Sequence, residues 1–223
     1  MRKPLLRAMA PACAMAVLLA FAPAAAAGQA ITRGDFQLGI GLNAGAHATR
    51  YESEITILGF SKKDSHNDGA VTVTVPLEAQ YSFTVRFSLG LYIEPGSYLD
   101  SSGTHPNKLL LLGISPRYYV VNKDRFALYL HVDLGMSKLQ IKDVKSGKDR
   151  FTDYFEGSHA RLGIAGQYYF SDLFGLNAGL RFTGANFTWK ERDPGDPLIA
   201  AVNYKGTLKT TGVQFQLGLQ VKF

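Results

Sequence analysis

Cysteine is almost absent: 223 residues contain one, Cys13, close to the N-terminus. With no second cysteine to pair with, the chain gains nothing from internal disulfides and must find its stability elsewhere. Long apolar runs are also missing after the first 27 residues, and nothing there approaches the roughly 20 residues of a membrane helix. If the remaining chain crosses a bilayer, it must do so as a closed barrel, because an open strand edge cannot be satisfied in lipid. No helical period follows either. Histidine is sparse, and His47, His131 and His159 fall on different strands without ligand spacing, so no metal or other cofactor is expected. Asp64, His66, Asp68 and Gly69 imitate the start of a calcium loop, but the place of the closing bidentate glutamate is held by Val75.

What is present begins with an address. Met1 to Ala27 reads as a secretory signal peptide, with Arg2, Lys3 and Arg7 before an apolar middle from Ala14 to Phe21. Ala25, Ala26 and Ala27 supply the small residues of a cleavage site. The formal net charge of +6 falls to +3 once those three cations leave, so the basic balance points to no nucleic-acid partner. One domain, 28–223, remains.

That domain alternates. Side chains along a strand point to opposite faces, so an apolar residue at every second position gives one greasy face and one wet face. Phe36, Leu38, Ile40 and Leu42 oppose Gln37, Gly39, Gly41 and Asn43. Val71, Val73, Val75 and Leu77 oppose Thr72, Thr74 and Glu78. The same pattern recurs through Phe87–Ile93, Leu110–Tyr118, Phe126–Met136, Leu162–Phe170, Phe174–Phe182 and Val213–Phe223. Eight strands result. Long polar connections (52–68, 100–107, 142–153 and 190–205) alternate with short ones near Phe83, Asn122–Asp124 and Ser171–Asp172. An even strand number with short turns at one end and long loops at the other is the pattern of an up-and-down membrane barrel.

The polar face carries mid-strand charges, Glu78, Arg86, Glu94, Arg117, Asp133, Arg161 and Arg181. An eight-stranded barrel is just wide enough for side chains to fill it, so these are expected to pair as a plug across the lumen. Aromatics gather toward the short-turn end on the other face, as an interfacial girdle would. Three tensions remain. Pro76, Pro95 and Pro116 fall inside strands, where the ladder loses a donor. Apolar parity flips after Met136 (Leu139, Ile141) and after Gly184 (Phe187, Trp189), which suggests bulges near the outer rim.

The last strand, Thr211 to Phe223, ends in Gln216-x-Gly218-x-x-Val221-x-Phe223. This resembles the C-terminal assembly signal of bacterial outer-membrane β-barrels. The resemblance extends to the broad group of OmpA-, OmpX- and PorT-like barrels over roughly Gly34 to Phe223. It implies an all-β, eight-stranded antiparallel transmembrane barrel in the outer membrane of a Gram-negative-type envelope. The implied partners are membrane lipid, lipopolysaccharide and, during biogenesis, the barrel-assembly machinery. Such barrels share architecture more than activity. A structural or surface-interaction role through the outer loops, with an unidentified surface ligand, is expected rather than catalysis. The alternatives are a lipid A-modifying enzyme and a narrow channel for ions or small solutes. The nearest catalytic-looking set, Glu156, Ser158 and His159, is split by strand parity between the two faces.

Overall fold

The computed structural model describes residues 29–57, 60–101, 106–146, 149–193 and 203–223. The expected signal peptide, 1–27, lies outside the described residues. The strands are β1 Phe36–Ile57, β2 Phe60–Thr74, β3 Leu77–Thr84, β4 Phe87–Asp100, β5 Asn107–Lys123, β6 Phe126–Ser146, β7 Asp149–Tyr169, β8 Phe174–Asp193 and β9 Asn203–Lys222. All neighbours are antiparallel, and β1 pairs with β9 along Gln37–Thr56, which closes the sheet on itself.

Among the described residues, nine segments make eight barrel strands. β2 and β3 both lie between β1 and β4, and they are two halves of one strand interrupted at Val75–Pro76. Pro76 has no N–H to donate, so the ladder breaks there. Its carbonyl still accepts from the Gly41 N–H at 3.0 Å, and the Val75 N–H donates to the Pro95 carbonyl at 2.8 Å. Pro95 and Pro116 are held inside β4 and β5, opposite Leu110 and Leu89 respectively. At Pro116 the cost appears on the other side, where the β5–β6 pairing skips from Ile114 to Arg117.

Following cross-strand partners once around the barrel from Leu38 leads through Ala79, Leu91, Ile114, Leu134, Ala160, Gly184 and Thr211 to Ala48, ten residues further along β1. Eight strands with a stagger of ten tilt by about 40°. The ring therefore climbs as it turns, and residues at one level come from different rows.

The exterior is apolar in its lower part. Leu38, Leu42, Leu91, Leu134, Leu162, Phe182, Phe215 and Leu219 are all exposed, with the lumen-facing residues between them buried. Phe36, Phe87, Phe126, Phe170, Phe174 and Phe223 ring the short-turn end. The upper limit is drawn by the outward-facing Arg50, Lys108, Lys138, Ser158, Asn186 and Lys209. At this tilt the belt is about 25 Å tall, the hydrocarbon height a barrel of this kind requires. No helix among the described residues is long and apolar enough to cross a membrane.

Four expectations need correction. Arg86 is not on the lumenal face. It sits in the two-residue turn between β3 and β4, where a register shift between Ser82 and Thr84 takes up the alternation. No bulge reverses parity after Met136 or Gly184. Pairing runs unbroken through both places, so Leu139, Phe187 and Trp189 continue the inward series on the lumenal side. The actual shifts lie higher, between Ile141 and Val144 and at Lys190, opposite Tyr154 and Phe155. Finally, much of the connections read as loops is strand: 52–57 and 60–68 continue the β1–β2 ladder, and β6 and β7 run to Ser146 and from Asp149.

Candidate functional site

The lumen is filled in three layers. The floor is aromatic and amide. Tyr119, Tyr129 and Tyr169 pack with Ala127, Ala165 and the N-terminal Ala30 and Ile31, which fold under the barrel. Tyr119 and Tyr129 meet edge to face at 5.6 Å between centroids. Asn122 holds Ile31 through both its backbone groups, accepting from N–H at 2.9 Å and donating to the carbonyl at 2.7 Å. Gln37 accepts from the Tyr169 hydroxyl at 3.2 Å and from Gln167 at 3.3 Å, and Gln167 also donates to Gln220.

Above the floor lies the charged layer. Three carboxylates, Glu78, Glu94 and Asp133, meet three guanidiniums, Arg117, Arg161 and Arg181. Arg117 pairs with Glu78. Arg161 reaches Glu94 at 2.6 Å and Asp133 at 3.0 Å. Arg181 sits between all three acids, at 3.0 Å from Glu78, 3.6 Å from Glu94 and 3.7 Å from Asp133. All six side chains are buried. Formal charges balance, as they must where an unpaired ion costs several kcal/mol. Surrounding polar groups add hydrogen bonds to two of the carboxylates. Thr74 donates to Glu94, Asn43 donates to it at 2.8 Å, and Ser115 donates to Asp133 at 2.7 Å. Arg117 and Arg161 also lie 4.8 and 4.7 Å from the ring centres of Tyr129 and Tyr92, close enough for cation–π attraction. Glycine makes the room: a Cβ on Gly163 would stand 2.8 Å from Cε1 of His131.

The third layer is apolar, against the polar lumen that the alternation predicts. Leu109, Leu111, Leu139, Phe155, Phe187 and Leu208 turn inward and pack with Tyr92 and Tyr98 into an apolar ceiling. The one signal for it in the sequence was the apparent parity change at Leu139 and Phe187. Above it the mouth carries Asp153, which accepts from Arg192 at 2.6 and 2.7 Å and from the Trp189 indole at 3.3 Å. Trp189 stands edge to face with Tyr204, which shares a hydrogen bond with Tyr51. Burial pushes the Tyr51 phenol well above its ordinary range, and the Tyr204 hydrogen bond adds to the shift.

No family model and no curated protein matches the sequence. Solved structures do. AlkL, determined in lipid bilayers, superimposes with a TM-score of 0.54 at 13% identity, over 91% of this chain and 95% of that one. OprG from Pseudomonas aeruginosa gives 0.51 at 15% identity, over 88% and 99%. The fold is that of an eight-stranded outer-membrane β-barrel. At these identities the likeness is one of fold.

On this barrel the catalytic-looking set comes apart. Glu156 and Ser158 face outward, while His159 is buried in the lumen against the Tyr92 hydroxyl. Asp64, His66 and Asp68 lie along strand β2 rather than in a loop, and no group of three metal-ligating side chains gathers among the described residues. Gln216 and Gly218 face inward on β9, and Val221 and Phe223 end the chain at the seam with β1, where Phe36 and Phe223 exchange backbone hydrogen bonds of 3.1 and 2.8 Å.

Proposed function

We propose that the protein resides in the outer membrane with a sealed lumen, and acts through the wall that rises above the apolar belt. The observation that carries this is the stacked pair of seals. A neutralised, buried six-residue charge layer lies beneath a packed apolar ceiling, so an ion that passes the Asp153–Arg192 mouth meets hydrocarbon before it reaches any charge of the layer below. The extended strands supply the working surface. The β1–β2 hairpin continues past Arg50 to a tip where Phe60 is 83% exposed and Ile57 52%, followed by Lys62 and Lys63. An exposed apolar pair beside two lysines, at the far end of a hairpin, is a surface suited to contact with a partner.

The test has two arms. Refolded protein in planar bilayers should show no steady conductance. Deleting 54–63 should abolish attachment of expressing cells to their target surface while leaving heat-modifiable folding intact. Steady conductance, or attachment that survives the deletion, would overturn the reading. The apolar ceiling favours one second reading, entry of small apolar solutes from outside. Uptake of such a solute by vesicles containing the protein, lost on Leu139→Lys, would support it against a sealed lumen.

A further inference from the structure

A groove of about 610 Å³ lies on the outer wall across β4 to β8, bordered by Pro95, Leu110, Tyr154 and three lysines, Lys108, Lys138 and Lys190. Its volume is in the range of small-ligand sites. Its height matters more. Leu110 and Pro95 belong to the top of the apolar belt, directly above Leu112 and Ile93 on their own strands, whereas the lysines stand at and above the polar boundary. The groove is greasy below and cationic above.

The lysines converge for identifiable reasons. Lys138 lies opposite Leu110 on one side and Glu156 on the other, and Lys108 is opposite Gln140. Lys190 is the residue left unmatched where β7–β8 pairing jumps from Tyr154–Glu191 to Phe155–Trp189, so the bulge delivers an extra cation into the groove. Two acids line it as well. Glu156 is taken by Lys138 at 2.9 Å, and Lys190 lies near enough to help hold its carboxyl below the usual range. Glu191 also lines the groove, so three lysines and two carboxylates leave a formal charge of +1. Among the described residues no carboxylate lies within ion-pair distance of Lys108. Lysine is a point-charge partner for phosphate.

We infer that this groove seats the phosphate-bearing headgroup of an outer-leaflet lipid, with its acyl chains running down the belt over Leu110 and Leu112. Free phosphate would satisfy the lysines but leave the apolar floor uncovered, and an uncharged lipid would do the reverse. Only an anionic amphiphile matches both halves.

The experiment uses the full refolded chain in detergent micelles, read by native mass spectrometry. The probes are phosphorylated lipid A, its dephosphorylated form and inorganic phosphate. Wild type is expected to retain one phosphorylated lipid. Lys108→Gln with Lys190→Gln should weaken retention at least tenfold, and Lys108→Glu with Lys190→Glu more so, with heat-modifiable folding unchanged. Lys62→Glu with Lys63→Glu, on the distal hairpin, should leave it untouched. Equal retention of the dephosphorylated lipid, displacement by inorganic phosphate, or equal loss in the hairpin variant would each overturn the assignment.

Discussion

Arg161 Nη1 lies 2.6 Å from Glu94 Oε2, and neither side chain is more than 1% exposed. Breaking one partner of a buried pair leaves an uncompensated ion and costs about 3–5 kcal/mol. Glu94→Gln should therefore lower the unfolding free energy by about that amount, measured by urea titration in phospholipid vesicles. Removing one charge of each sign, Glu94→Met with Arg161→Met, keeps the layer neutral and should recover most of the loss. A double variant no better than the single one would mean that shape, not charge balance, holds the layer.

Leu130, exposed on the belt between Tyr118 and Ile164, tests the face assignment. Arginine near the midplane of a barrel's lipid face costs about 2–4 kcal/mol, and about 0–1 near the interface. Leu130→Arg should depress folding yield in vesicles far more than Ser158→Arg at the belt's upper limit. Equal effects would place the membrane elsewhere.

The ceiling makes a separate demand. Phe155 and Phe187 are 2% and 3% exposed, and truncating a core phenylalanine costs about 3–5 kcal/mol. Phe155→Ala should lose stability on that scale without opening a conductance, because the charge layer beneath is intact. Current through the single variant would show that the ceiling alone seals the barrel.

Gly163→Ala would press a methyl against the His131 ring, whose Nδ1 lies 3.1 Å from Asp133, and bring that methyl within 2.8 Å of the Leu180 carbonyl oxygen. The ring must move and the Asp133 contact with it, so a loss of about 1–3 kcal/mol is expected, as for other overpacked cores. His131→Ala in the same chain should relieve the side-chain part of the clash, and no relief would put the strain at the Leu180 carbonyl.

At the mouth, pH is the lever. The Tyr51 phenol has a raised pKa in the folded chain, so folding favours its neutral form. That contribution is full below the ordinary tyrosine value of about 10 and declines as pH rises past it. Unfolding free energy should therefore fall more steeply above about pH 10 in the wild type than in Tyr51→Phe. Parallel curves would remove Tyr51 from the account.

Much of this architecture is legible in period-two alternation, because every strand must present one face to lipid. Strand number, the end at which the hairpins rise above the belt and six of the seven lumenal charges follow from it, although much of what reads as long loop is extended strand. Arg86 does not, since a turn consumes the parity that placed it inward. The ceiling was hidden for a different reason. Alternation distinguishes two faces but does not say that the inner one is polar throughout, so Leu139 and Phe187 looked like bulge signals instead of a change in lumen chemistry. Ala30 and Ile31 carry no period, and their place under the barrel is set by a distant partner, Asn122.

That partnership bears on how the floor is held. Ile31 is gripped by a residue at the end of β5, and the Ala30 carbonyl accepts from Lys222 at 2.6 Å, at the end of β9. The earliest described residues thus depend on the penultimate one. They act as a clasp that needs the ends of β5 and β9 in place together, so the floor is held by contacts that only the closed ring provides.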